Sequence, residues 1–239
     1  MVQPSTHVLP DQEPDASLEL GERIERELAR YLERRRRDAA AIGPVFAEAV
    51  DSLTRFVLGG GKRIRPTFAW WGWRGAGGDP AGPEAEGVLR ALSALELLQA
   101  SALVHDDLID ASATRRGRPT VHVEFASRHA DAGWSGPPAR FGAAAAILLG
   151  DLALTWSDDL YRDSGLPAAT LDRGLEAWRG MRTEVLGERQ ERAHGLGRLV
   201  GIDVDGERHE VAGQREQHLL ARGADLHLSR CQAGAGRRG

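Results

Sequence analysis

The chain has 239 residues, a net charge of −4 and 28% charged residues. That length suffices for one sizeable domain with a real core, and the slight acidic balance gives no global sign of a nucleic-acid partner. A single cysteine, Cys231, excludes an internal disulfide framework and makes a reducing cytoplasm the expected setting. No transmembrane segment is expected, because no continuous apolar run reaches spanning length, and Met1 to Pro14 lack the apolar core of a signal peptide.

Residues 1–17 are polar and proline-rich and are expected to be disordered. From Ser17 the pattern turns helical: Leu18, Leu20, Ile24, Leu28 and Leu32 recur on one face. The run Arg34–Arg37 reads as the solvated C-terminal pole of that helix. Pro44 opens a second helix to about Leu58, ended by Gly59, Gly60 and Gly61. Pro66 starts a third, on which Phe68, Trp70, Trp71 and Trp73 read as core filling. After a loop over 75–83, a long helix is expected from Glu84 to about Ala111. Val88, Leu89, Leu92, Leu95, Leu97, Leu98, Leu103 and Val104 make it apolar nearly all round, so it should be central and buried. Further helices are expected near Val121–His129, over roughly Ala139–Tyr161, and from Pro167, with Leu171, Leu175, Trp178 and Val185 on one face. There is no strand-like alternation and no internal repeat. The predicted class is all-α.

Residues 18–186 thus read as one helical domain, and residues 187–239 differ in kind. This last stretch holds ten glycines, nine arginines, four histidines and no Phe, Trp or Tyr. Glycines such as Gly195, Gly197 and Gly201 are expected to interrupt any helix, leaving a poorly ordered tail with at most short helical pieces at Arg189 to Glu191 and Gln214 to Ala221.

Two constellations carry chemistry. The first runs from His105 to Pro119. Asp106 and Asp110 stand four apart, so on a helix they share a face with Cβ atoms roughly 6 Å apart. Two carboxylates that close repel each other unless a cation sits between them. Hard oxygen ligands without a thiol or imidazole cluster point to Mg²⁺, which completes its shell with water and substrate phosphate. Arg115, Arg116 and Arg118 would hold the same anion from the other side. The second constellation is Gly59 to Pro66. Of 31 basic residues only Lys62 is a lysine, a compact charge suited to phosphate. Lys62 and Arg65, three apart after a glycine turn, could grip one phosphate group.

In order along the chain stand Gly-Gly-Lys-x-x-x-Pro (Gly60–Pro66), His-Asp-Asp-x-x-Asp (His105–Asp110), Arg-Arg-Gly-x-Pro-x-x-His (Arg115–His122) and Leu-x-Gly-Asp. The last ends at Asp151. This set resembles the trans-isoprenyl diphosphate (polyprenyl) synthase family, short-chain and geranylgeranyl-diphosphate-synthase-like. The resemblance implies an isoprenoid-synthase helical bundle around a central cavity, usually homodimeric and Mg²⁺-dependent. It implies condensation of isopentenyl diphosphate with an allylic diphosphate and release of pyrophosphate. By the same resemblance Asp106 and Asp110 hold the metal, Asp107 helps orient that cluster, and Arg115 contacts the allylic diphosphate. Arg116, Lys62 and Arg65 grip isopentenyl diphosphate, and Gln99 stands where many members carry a histidine, still able to donate an amide hydrogen bond. Below Asp106 lie Ser101 and Ala102, both small, where members that stop at fifteen carbons typically carry a bulky aromatic. A growing chain should therefore pass to twenty carbons or more, with Leu98 and Leu95 closing the floor.

The resemblance stops after Leu186. The family continues there with Gly-Gln and later brings a second aspartate-rich motif, whereas no Asp-Asp-x-x-Asp occurs after Asp110 in this sequence. The compositional break is what a reading-frame shift in a GC-rich gene would give, and it puts turnover by this chain in question. Three function classes follow: a prenyltransferase, a non-catalytic diphosphate-binding or dimer-partner subunit, and a terpene cyclase. A cyclase needs no isopentenyl diphosphate site, so Gly60–Pro66 and Arg116 argue against it. Of the remaining signals, His105 reads as a packing or orienting residue, Asp158-Asp159 as a solvated helix face, and Asp203 to Gly206 lacks the rest of a calcium-loop pattern.

Overall fold

Seven helices and one short hairpin make up the computed structural model, which describes residues 16–200. The expected N-terminal disorder falls outside that range except at Ala16 and Ser17, which are helical in α1; Cys231 and most of the tail also lie outside it. The elements are α1 (Ala16–Ile42), α2 (Pro44–Leu58), α3 (Ile64–Gly75), α4 (Ala85–Ile109), β1 (Thr114–Arg115), β2 (Arg118–Pro119), α5 (Val121–Asp131), α6 (Pro138–Arg162) and α7 (Ala168–Val200). The bundle forms a compact unit reaching to Ala193.

The apolar periodicity of α1 becomes its inner face: Leu20, Ile24, Leu28, Tyr31 and Leu32 are all buried. The helix runs past the arginine run rather than ending there. Arg36 bonds Asp51 of α2, and Arg35 bonds Asp159 of α6 at 2.7 Å. Pro44 opens α2 at its first helical position, where a missing N–H costs nothing. By the same logic Pro66 does not start α3 but sits inside its first turn, two residues after Ile64. Of the expected aromatic core of α3, Trp70 is buried and Trp73 is half-buried against the core beside it. Ile64, Phe68 and Trp71, spaced along one stripe, are exposed.

Helix α4 is the central element. It contacts α1, α2, α3, α5 and α6, and Leu89, Ala94, Leu97 and Val104 lie fully inside. Each such leucine contributes about 2 kcal/mol by leaving water. The close approach of its neighbours rests on two glycines of α6. A Cβ on Gly150 would lie 2.0 Å from His105 Nε2, and one on Gly142 would lie 2.0 Å from the carbonyl oxygen of His122 in α5.

Three expectations change. First, α4 and α6 are both long and apolar enough on average to cross a membrane, although charges punctuate them; 72% of the most apolar window of α4 is buried inside the bundle, against 33% for α6. Second, Asp158 and Asp159 are structural ties rather than a solvated face. Asp158 accepts from Arg162 and Trp178 and pairs with Arg182, locking α6 to α7. Third, α7 continues as a helix to Val200, through Gly187, Gly195 and Gly197. Single glycines cost a helix about 1 kcal/mol each and do not by themselves end it.

Candidate functional site

The aspartate motif occupies the C-terminal pole of α4. That pole carries partial negative charge, and the last turn of α4 holds no basic residue of its own. Three carboxylates there are an electrostatic cost that cations from elsewhere must offset. Asp110 caps the helix, its N–H donating to the Asp106 carbonyl at 2.8 Å, so the two residues stand one turn apart. Asp107 points elsewhere. It is fully buried, and both its oxygens accept from Arg115, Nε at 2.8 Å and Nη2 at 2.7 Å. The fork on Asp107 in turn pushes the Arg115 guanidinium above its ordinary range, keeping it charged.

Arg115 ends the first strand of a hairpin that was not expected from sequence. Strands of two residues give no alternation to read. The signal was the turn itself: Arg116 and Gly117 both have positive φ, 50° and 74°, as a two-residue type I′ hairpin requires. The hairpin brings Arg115 opposite Arg118 and is anchored to α4 by the Ser112 N–H on the Asp107 carbonyl. Thr120 closes it, its hydroxyl donating to Ser112 O at 2.7 Å.

The second constellation meets the first here. The Arg116 guanidinium donates to the Gly60 carbonyl, and a Cβ on Gly61 would lie 3.5 Å from Arg116 Nη2. Gly60 and Gly61 have φ of 97° and 153°, which keeps this approach open to backbone alone. The intervening Arg63 was not singled out from sequence. It is buried, in left-handed conformation at φ 48°, with Nη1 donating to Val57 O and to Glu96 Oε2 at 2.8 Å. This internal ion pair holds the glycine turn against α4. Lys62 and Arg65, by contrast, are exposed.

A cavity of about 240 Å³ lies where these segments join. Its wall includes Gln99, Arg115, Arg116 and Arg118 on the polar side, and Val57, Ala100 and Leu103 on the apolar side. Of its arginines, Arg63 faces Glu96, Arg55 faces Glu124 and Arg115 faces Asp107, leaving Arg116 and Arg118 as its strongest positive charges. Neither Lys62, Arg65, Asp106 nor Asp110 is part of this wall. Ser101, Ala102 and Leu98 are all buried on α4.

Asp106 has a partner that sequence reasoning missed. Arg189 of α7 places Nη2 3.3 Å from Asp106 Oδ2 and Nε 3.3 Å from Oδ1. It lies in the stretch where the family pattern has ended, so no motif marked it.

The donor set suits Mg²⁺. Among the described residues no group of three or more His, Cys, Asp or Glu could cage a metal by itself. Two carboxylates one turn apart, with arginines nearby for an anion, match an ion that takes the rest of its shell from water and phosphate. His105 is not in that set; its Nε2 faces the Ile147 carbonyl at 3.3 Å and Asp151 at 3.6 Å.

A family model described as polyprenyl synthetase matches residues 47–173. A solved structure of geranylgeranyl pyrophosphate synthase from Corynebacterium glutamicum, complexed with isoprenyl diphosphate and magnesium, is 44% identical with a TM-score of 0.68; the match covers 73% of this chain and 49% of that one. Geranylgeranyl diphosphate synthase of Sulfolobus acidocaldarius is 33% identical over 119 residues, 49% of this chain and 30% of the relative. Heptaprenyl diphosphate synthase component 2 of Geobacillus stearothermophilus is 36% identical over 101 residues, 39% of this chain and 30% of the relative. The chain thus spans about half of its solved neighbour and about a third of these curated relatives. With the matched family segment running through α2 to α6 and carrying both constellations, the chain belongs to the polyprenyl synthetase family.

Proposed function

We propose that this chain is a prenyltransferase that condenses isopentenyl diphosphate with an allylic diphosphate, releasing pyrophosphate and a trans-polyprenyl diphosphate of twenty carbons or more. One observation carries the reading: Asp106 and Asp110 stand one turn apart at the negative pole of α4, beside an arginine-lined cavity, inside the family segment. Asp106 and Asp110 would hold Mg²⁺, which when bound supplies neutralisation of the charge that develops on a departing diphosphate.

The chain's own residues do the rest. Asp107 fixes the Arg115 guanidinium, and Arg115 then presents its remaining face to the allylic diphosphate. Arg116, tied to the Gly60 carbonyl, joins Lys62 and Arg65 in gripping isopentenyl diphosphate. The Gln99 amide donates into the same cavity. Ser101 and Ala102 leave room for the growing tail along α4, with Leu98 as floor. The reading includes a homodimer, to which the exposed Ile147 and Leu148 of α6 are suited, and a cytoplasmic setting that suits a lone cysteine.

A second reading has its own support. No Asp-Asp-x-x-Asp follows Asp110, so one carboxylate wall of the metal site is not visible in the sequence. On this reading the chain binds diphosphate, or lends a face to another subunit, without turnover. Labelled isopentenyl diphosphate, an allylic diphosphate and Mg²⁺ incubated with the purified chain separate the two. Elongated product supports the transferase. Mg²⁺-dependent diphosphate binding without product leaves the partner reading. Neither product nor binding refutes both.

A further inference from the structure

We propose that Arg189 is a built-in counter-ion of Asp106, so that a divalent ion reaches this carboxylate only in competition with the Arg189 guanidinium. The inference rests on the reading of Asp106 and Asp110 as metal carboxylates.

The electrostatics of the α4 pole require such a group. Asp106 and Asp107 lie in the last turn of a helix with no basic residue there, and Asp110 caps it. Asp107 is neutralised by Arg115 from the hairpin. Asp106 is met by Arg189 from α7, with guanidinium nitrogens 3.3 Å from each of its oxygens. Both side chains are largely withdrawn from water, 14% exposed for Arg189 and 17% for Asp106, so solvent screens the pair less than a surface pair.

Arg189 is also held in place. Nε donates to the Ala102 carbonyl of α4 at 3.1 Å, and Nη1 donates to the Val185 carbonyl one turn back on α7. Three acceptors therefore fix a planar fork against both oxygens that a metal would use. A hard cation binding Asp106 must break this arrangement, and the guanidinium, which cannot lose its proton, must move away. Without Arg189, Asp106 loses its guanidinium partner at the negative helix pole, and its demand for a cation rises.

The test is a Mn²⁺ titration of the full chain, read by the electron paramagnetic resonance signal of the free ion. It compares wild type, Arg189→Gln, Arg189→Lys, Asp106→Asn and the double variant Arg189→Gln/Asp106→Asn, with circular dichroism securing the fold of each. Arg189→Gln should bind Mn²⁺ about fivefold more tightly. Arg189→Lys, which keeps the charge but not the fork, should fall between wild type and Arg189→Gln. The gain should vanish in the Asp106→Asn background. Unchanged affinity in folded Arg189→Gln, with Asp106→Asn still weakening binding, overturns the role of Arg189 and leaves the metal reading standing. No Mn²⁺ bound by any variant overturns both. Arg189→Met, which keeps the aliphatic length, gives the same reading if the glutamine variant is unstable.

Discussion

Three helical glycines should respond to alanine in an order set by what their new Cβ meets. Each substitution gains about 1 kcal/mol of helix propensity. At Gly72 of α3 nothing lies within 4 Å, so that gain should appear as stabilisation. At Gly150 the Cβ would lie 2.0 Å from His105 Nε2, and the ring must rotate away from the Ile147 carbonyl, offsetting the gain and leaving a net loss of about 1 kcal/mol. At Gly142 the obstacle is backbone: the His122 carbonyl oxygen at 2.0 Å and the Ala126 nitrogen at 3.0 Å. No rotamer relieves that overlap, so α5 and α6 must part by about 1 Å or more, at a net cost of about 2–3 kcal/mol. In thermal unfolding, at about 2–4 °C per kcal/mol for a chain of this size, Gly142→Ala should fall by about 4–12 °C while Gly72→Ala rises slightly. A Gly142→Ala protein as stable as wild type would refute the helix contact, and a destabilised Gly72→Ala would refute the propensity argument.

Asp107→Asn should cost about 2–4 kcal/mol in urea unfolding, because it leaves Arg115 without its fork, and should raise the apparent KM for the allylic diphosphate more than Arg118→Gln does. Both tyrosines should resist ionisation. Burial first of all pushes Tyr31 up to about 12 and raises Tyr161 as well, so phenolate absorbance should emerge near pH 10 only after unfolding. A raised folded value means stability is full below about pH 10 and is lost as pH rises towards 12; Tyr31→Phe should remove most of that slope. Asp158 behaves oppositely. Burial disfavours its charge, but the bonds from Arg162 and Trp178 and the charge of Arg182 prevail and lower its pKa. Its stabilisation is present above about pH 4 and fades as pH falls through the folded value, so Asp158→Asn should show a shallower acid-unfolding profile.

What sequence could and could not reveal follows from the range of each interaction. The apolar face of α1 and the all-round apolarity of α4 are periodic signals, and both became core. The pairing of Asp106 with Asp110 is local, fixed by one helical turn, and was readable for the same reason. Proline position was less decisive, since Pro66 is tolerated two residues into α3 as well as at its start. The aromatic run of α3 misled because aromatic residues fill cores only when their stripe faces one. Phe68 and Trp71 lie on the stripe that does not.

Contacts between distant segments left no local trace. Arg63 with Glu96, Arg116 with Gly60, and Arg189 with Asp106 join residues 33, 56 and 83 apart. Tail composition also misled at short range. Glycine content left room only for a short helical piece at Arg189 to Glu191, yet α7 runs on unbroken to Val200, and its turn at Arg189 bonds α4. Charge explains why that turn matters: the α4 pole draws in a cation whichever segment supplies it.

We propose the C-terminal pole of α4 as a metal–diphosphate site. Calorimetric binding of a non-ionising allylic diphosphate analogue, with and without Mg²⁺, to wild type and Asp110→Asn tests it most directly. Binding should require Mg²⁺ and be weakened about tenfold or more by Asp110→Asn. Binding that ignores Mg²⁺, or that Asp110→Asn leaves unchanged, would contradict it.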